Sequence, residues 1–150
     1  KFSVSSGGTG TIGWARIIFT YATSTNVSNL SGYALWDADT NTQVGGAFTV
    51  SYSAKTAAFD ATNEQQISGA KNYVLKATVT GGSTTGDYVA VNIAQPTTFI
   101  APALAASATG TSASFVWSDL SAQSHGLTSA DWNNDYLVKN FPTDSQTLVK

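Results

Sequence analysis

Apolar and polar residues alternate along most of this chain with the two-residue period of β-strands, and no stretch holds a helical period. Lys1 to Ser5 sets Phe2 and Val4 against polar neighbours, after which Ser6-Gly-Gly-Thr-Gly10 interrupts the pattern as a flexible hinge. Thr11 to Ala22 predicts a long strand, with a change of phase near Ala15-Arg16 that marks a bulge. Leu30 to Trp36 and Gln43 to Ser53 flank Asp37-Ala-Asp-Thr-Asn-Thr42, an Asx-rich turn, and so predict a hairpin. Lys55 to Thr62 and Asn72 to Thr80 enclose the polar segment Asn63 to Gly69, and Lys71, Tyr73, Leu75, Ala77 and Val79 share one face. Gly81 to Gly86 then turns the chain into a strand from Asp87 to Ala94.

Seven short strands with turn signals every eight to twelve residues predict an all-β, immunoglobulin-like sandwich over residues 1–96. A jelly roll or a barrel fits the same strand count. Residues 97–150 read differently. Thr98 to Ala106 is apolar but broken by Pro102, which suits an edge strand or an extended arm and not a central strand. Ser112 to Ser118 predicts one more strand and Tyr136 to Lys139 a short one, with irregular chain between them. This extension is expected to pack on the sandwich or on a neighbouring subunit.

Composition narrows the partners. The 150 residues are 42% hydrophobic, enough for one sizeable core, yet only 11% are charged, and roughly a quarter are Ser or Thr. With seven scattered Lys and Arg and a net charge of −2, the chain lacks the basic patch that a phosphate backbone or an anionic membrane requires. No segment reaches the roughly eighteen apolar residues of a spanning helix. Lys1 heads a sequence with no basic-then-apolar leader, so any signal segment is expected to have been removed. The absence of cysteine excludes disulfides, thiolate metal sites and thiol nucleophiles. A hydroxyl-rich, charge-poor chain without Met suits an extracellular or cell-surface location, and Asn26-Val-Ser28 and Asn29-Leu-Ser31 match the N-glycosylation pattern.

Candidate chemistry is sparse. His125, the one histidine, has Ser121, Ser124 and Asp119 as sequence neighbours, but local neighbours rarely form a catalytic triad and no nucleophile elbow is present. No enzyme is predicted. Asp37-x-Asp39-x-Asn41 and Asp131-x-Asn133-x-Asp135 each space three hard oxygen ligands as calcium loops do, though both lack the sixth-position glycine and twelfth-position glutamate of the helical calcium hand. They are candidate calcium loops, with an Asx-rich turn as the plainer reading. Lys71 or Lys76 with Asn92 would be the pair for an intramolecular isopeptide bond. Trp14 and Trp36 fall on expected core strands, whereas Trp117 and Trp132 lie in the extension and are candidate contact residues.

The run from Phe2 to Thr80, with Ile12-Gly-Trp, Leu30-Ser-Gly-Tyr-Ala-Leu-Trp-Asp and Tyr73-Val-Leu-Lys-Ala-Thr-Val, resembles β-sandwich modules of large cell-surface proteins from Patescibacteria-type bacteria. The tail, with Phe115-Val-Trp-Ser-Asp, His125, Ala130-Asp-Trp, Tyr136-Leu-Val-Lys-Asn and Pro142-Thr-Asp-Ser-Gln-Thr-Leu, resembles the C-terminal region of the same proteins. That resemblance implies a surface or fibre module and carries over no catalytic residue.

The expected function is therefore a structural subunit that assembles with copies of itself into an extracellular filament or surface layer. The expected contact residues are Phe2 and Val4 on a donated strand, with Phe99, Ile100, Trp117, Trp132 and Tyr136 in the extension. The alternative is an adhesive module that binds glycans through exposed aromatics and the Asp/Asn loops.

Overall fold

In the computed structural model, residues 1–95, 104–105, 108 and 112–150 are described. The protein is a sandwich of two open antiparallel sheets, and no helix forms among the described residues. The first sheet has the order β1-β7-β3-β4, from β1 (Phe2–Ser5), β7 (Ala70–Gly81), β3 (Val27–Asp37) and β4 (Thr42–Gln43). The second is centred on β2 (Thr11–Thr23). It pairs on one side with β6 (Thr56–Ser68), which carries β5 (Gly46–Ser51). No helix of the described residues is long and apolar enough to cross a membrane.

The other side of β2 is shared end to end. β8 (Tyr88–Asn92) lies opposite Thr20–Thr23, and β10 (Phe115–Ser118) lies opposite Gly13–Ile17, both antiparallel. They are two halves of one strand position, with residues 93–114 inserted between them. The chain then returns alongside. β11 (Trp132–Asn134) pairs β10 and β12 (Gln146–Val149) pairs β8, so the outer strand position is split at the same level. β9 (Leu104–Ala105) adds to β11. The expected extension is thus built into the larger sheet. Phe99 and Ile100 lie outside the described residues.

Three sequence expectations change. The hairpin after Asp37 pairs over only two residues, because β4 ends at Gln43 and the chain crosses to the other sheet at Val44-Gly45. Glycine permits that crossing, since a Cβ on Gly46 would stand 2.4 Å from the Asp60 carbonyl and the Phe59 ring. The polar segment from Asn63, expected to separate two strands, is itself the end of β6 as far as Ser68, with Asn63, Gln66 and Ser68 exposed, Glu64 and Gln65 half-buried and Ile67 buried. Tyr136 to Lys139 is not a strand. Asp135, Leu137 and Asn140 take φ values of 58°, 57° and 66°, which a strand cannot accommodate.

The bulge predicted near Ala15-Arg16 is present. Trp14 pairs with Gln65 and Arg16 with Asp60, so residues Ala61 to Glu64 of β6 stand opposite Ala15 alone. Inward-facing Trp14, Ile17, Phe19, Leu35, Phe59, Tyr73 and Phe115 form the main core. A second small core lies on the bulged side of β2, where Ala15, Ala108, Ala113 and Val116 surround Trp132.

Candidate functional site

β1 occupies the edge of β7 in register Phe2↔Tyr73 to Ser5↔Ala70. Alternation turns Phe2 and Val4 into the main core, with the Phe2 ring edge-on to Phe19 at 5.5 Å and stacked on Tyr73 at 5.7 Å. The tether to β2 is held at one point, where the Ser6 amide donates to the Gly69 carbonyl at 2.8 Å and the Gly69 amide donates to Ser6 Oγ at 3.3 Å. Beyond it, Gly7 has φ 66° and Gly7, Gly8 and Gly10 face open space. A strand of four residues therefore inserts two apolar side chains while hanging on a linker that packs against little.

The opposite half of β7 is bare. β1 covers residues 70–73 only, and Lys76 to Gly81 are exposed. The face that begins with buried Tyr73 ends with exposed Ala77 and Val79, and across the gap β12 exposes Leu148 and Val149 at 75% and 65%. The two sheets are open to one another at this end.

His125 belongs to a clamp. Its Nδ1 lies 2.8 Å from Asp131 Oδ2, and its Nε2 contacts Glu64 Oε2. The bulge in β6 turns Glu64 toward it, as bulges re-aim side chains. Burial disfavours the imidazolium, but Glu64 and Asp131 outweigh it and raise the His125 pKa above its usual value. Asp131 is also buried, yet the hydroxyls of Ser129 and Ser118, the Ala122 amide and His125 hold its carboxyl well below the ordinary range. With a carboxylate on each ring nitrogen, His125 presents no free nitrogen to a substrate. Ser129 Oγ approaches the same Nδ1 that faces Asp131, which is not triad geometry. The cluster fastens residues 119–131 of the extension to β6. Glu64 was not legible as its partner, because 61 residues separate the two and only the bulge brings them together.

The candidate calcium ligands are turned to other partners. Asp37 Oδ1 accepts the amides of Asp39 and Thr40, and its Oδ2 meets Lys71 Nζ at 2.9 Å. Burial would raise this carboxyl, but Lys71 and the Thr40 and Asp39 donors bring it down to about 2. Asp39 accepts the backbone and side-chain N–H groups of Asn72, and Asn41 sits at φ 55° in the turn. Asp131 and Asp135 stand at opposite ends of β11, Asp135 accepting the amides of Ser114 and Phe115. Asn133 lies between them on the strand, opposite Trp117. Among the described residues no group of three or more His, Cys, Asp or Glu converges to hold a metal. Lys71 and Lys76 lie on the first sheet and Asn92 on the second, so neither lysine is its cross-strand neighbour.

The tryptophans are covered. Trp132, expected as a contact residue, is fully buried and donates from Nε1 to the Gly126 carbonyl at 2.9 Å. It packs the protein's own core because the loop ending at Asp131 wraps over it, with the His125 ring 5.3 Å away. Trp117 is half-buried and donates to the Tyr136 carbonyl at 2.8 Å. Lys76 Nζ caps the Trp36 ring at 3.8 Å. The exposed large apolar residues among the described part of the tail are instead Leu137, which follows Tyr136, and Leu148 and Val149 on β12.

Compared with known proteins, the chain matches no family model, no curated protein and no solved structure.

Proposed function

We propose that this protein is a structural subunit that assembles with copies of itself into an extracellular filament or surface layer, joined by exchange of β1. The observation that carries the reading is β1 itself, an edge strand with Phe2 and Val4 inserted in the core and a glycine linker beside it. A copy of β1 placed on the β7 edge of a neighbour makes the same backbone hydrogen bonds and the same Phe19 and Tyr73 contacts. Exchange therefore costs little beyond the entropy of association. When each subunit donates to one neighbour and accepts from another, the contact is head-to-tail and propagates. The low share of charged residues in the chain, 11%, supports the same reading.

Negative-stain imaging of the purified chain, with and without residues 1–5, tests it. Ordered fibres or sheets from the full chain and dispersed particles from the shortened one are expected. Dispersed monomers of the full chain at high concentration, or assembly that survives the deletion, contradict it.

A further inference from the structure

We propose that Asn29 is the acceptor of an N-linked glycan and that Asn26, three residues before it, is not. Asn26-Val-Ser28 and Asn29-Leu-Ser31 both carry the acceptor pattern, an Asn amide two residues before a hydroxyl, so the sequence alone does not separate them. The fold does. From Asn29 to Ser31 the register on β7 is unbroken, with Asn29↔Thr80, Leu30↔Val79 and Ser31↔Thr78. Leu30 points into the sandwich, 4% exposed, so alternation sends Asn29 and Ser31 outward together. Asn29 is exposed, as are Thr78 and Thr80 opposite, and neither the Asn29 amide nor the Ser31 hydroxyl is held by a hydrogen bond among the described residues.

The first pattern is built into a turn. Asn26 Nδ2 donates to Asp87 Oδ1 at 3.1 Å, and that buried carboxylate also accepts from Ser24 Oγ and the Thr84 amide. The Asn26 carbonyl accepts the Gly82 amide at 2.8 Å, and the Ser28 hydroxyl donates to the Thr80 carbonyl at 3.1 Å. Packing there is tight, since a Cβ on Gly81 would stand 2.3 Å from the Asn26 carbonyl. A sugar on Asn26 would have to displace this turn, whereas a sugar on Asn29 would extend into solvent. In the transfer, Asn29 Nδ2 attacks the anomeric carbon of an oligosaccharide carried on a polyprenyl diphosphate. The N–C bond forms and the C–O bond to the diphosphate breaks. The diphosphate leaves with the electron pair, and the amide proton passes to a base of the transferase. The inference rests on the extracellular location proposed above, because the transfer takes place on exported chains. It is independent of strand exchange, since Asn29 lies opposite Thr80 and β1 pairs with the other end of β7.

The test secretes the full chain behind a leader from cells that carry an N-glycosylation pathway. Export is thereby supplied, and failure of the acceptor leaves the proposed location untouched. Peptide mapping after enzymatic deglycosylation in heavy-oxygen water marks each former glycan site as a labelled Asp. Secreted wild type should carry one glycan, with occupancy of Asn29 at least about tenfold that of Asn26. Asn29→Gln and Ser31→Ala, both on the outward face, should each give secreted chain without a glycan. Ser28→Ala, which removes only the first pattern, should leave the glycan in place. Secreted wild type that is bare at Asn29, or that carries as much glycan on Asn26 as on Asn29, overturns the inference. So does an Asn29→Gln chain that takes its glycan at Asn26 and keeps the wild-type denaturation midpoint.

Discussion

Phe2 is stacked on Tyr73 with ring centroids 5.7 Å apart and planes 26° apart, which makes the first apolar residue of the chain a part of the main core. Tyr73 in turn accepts a hydrogen bond from Trp14 Nε1 at 3.3 Å, so the edge strand touches the centre of the sandwich through one side chain. Whether β1 comes from the same chain or a neighbour, that contact is the same.

Phe2→Ala should therefore weaken both the docked strand and assembly. A fully buried Phe→Ala change costs about 3 to 5 kcal/mol, and half-buried Phe2 should cost about 1 to 3. Urea denaturation measures the first effect and light scattering the second. A variant as stable as wild type that assembles normally would show that Phe2 anchors nothing.

Trp132→Ala should act as a core mutation. The residue is fully buried among Ala15, Ala108, Ala113 and Val116, so a loss of about 3 to 5 kcal/mol and the disappearance of near-ultraviolet dichroism are expected. A folded, equally stable variant that fails only to assemble would return Trp132 to an interface.

The clamp at His125 gives a pH dependence of defined sign. A histidine whose folded pKa is raised stabilises fully below about pH 6.5, its unfolded value, and loses that contribution as pH rises through the folded value. Asp37 and Asp131 are depressed, so their contribution is full above about pH 4, the unfolded carboxylate value, and falls as pH drops toward the Asp37 value of about 2. Denaturation midpoints should peak between about pH 4.5 and 6.5 and decline on both sides. His125→Gln should lower the plateau by about 1.5 to 3 kcal/mol, flatten the alkaline limb, and shallow the acid limb in part, because His125 also helps to depress Asp131. An alkaline limb unchanged in that variant would remove His125 from the account.

Much of the fold could be read in the chain because alternation is a local property. Phe2 and Val4, the bulge near Ala15, and the strand through Tyr73 all follow from sequence period. What could not be read depends on contacts distant in sequence. The polar run from Asn63 to Gln66 carries no strand period, and only β2, which pairs with Gln65 and Gln66 beyond the bulge, makes it the end of a strand. The Asp131-x-Asn133-x-Asp135 spacing suggests a cation loop, although Trp132 and Asn134 alternate inward there as a strand. Trp132 looked like an exposed anchor because its cover, Ala15 and Ala108, comes from other segments. The His125 clamp needed Glu64, which nothing near His125 announces.

Strand exchange is tested most directly by Ser5→Cys/Ala70→Cys, since these two exposed positions face each other across β1 and β7 and the chain has no other cysteine. Assembled protein is oxidised and run on a denaturing gel without reductant. A ladder of covalently joined chains from assembled material, beside closed single chains from dispersed monomer, is the predicted result. Single chains alone from assembled material would contradict the exchange of β1.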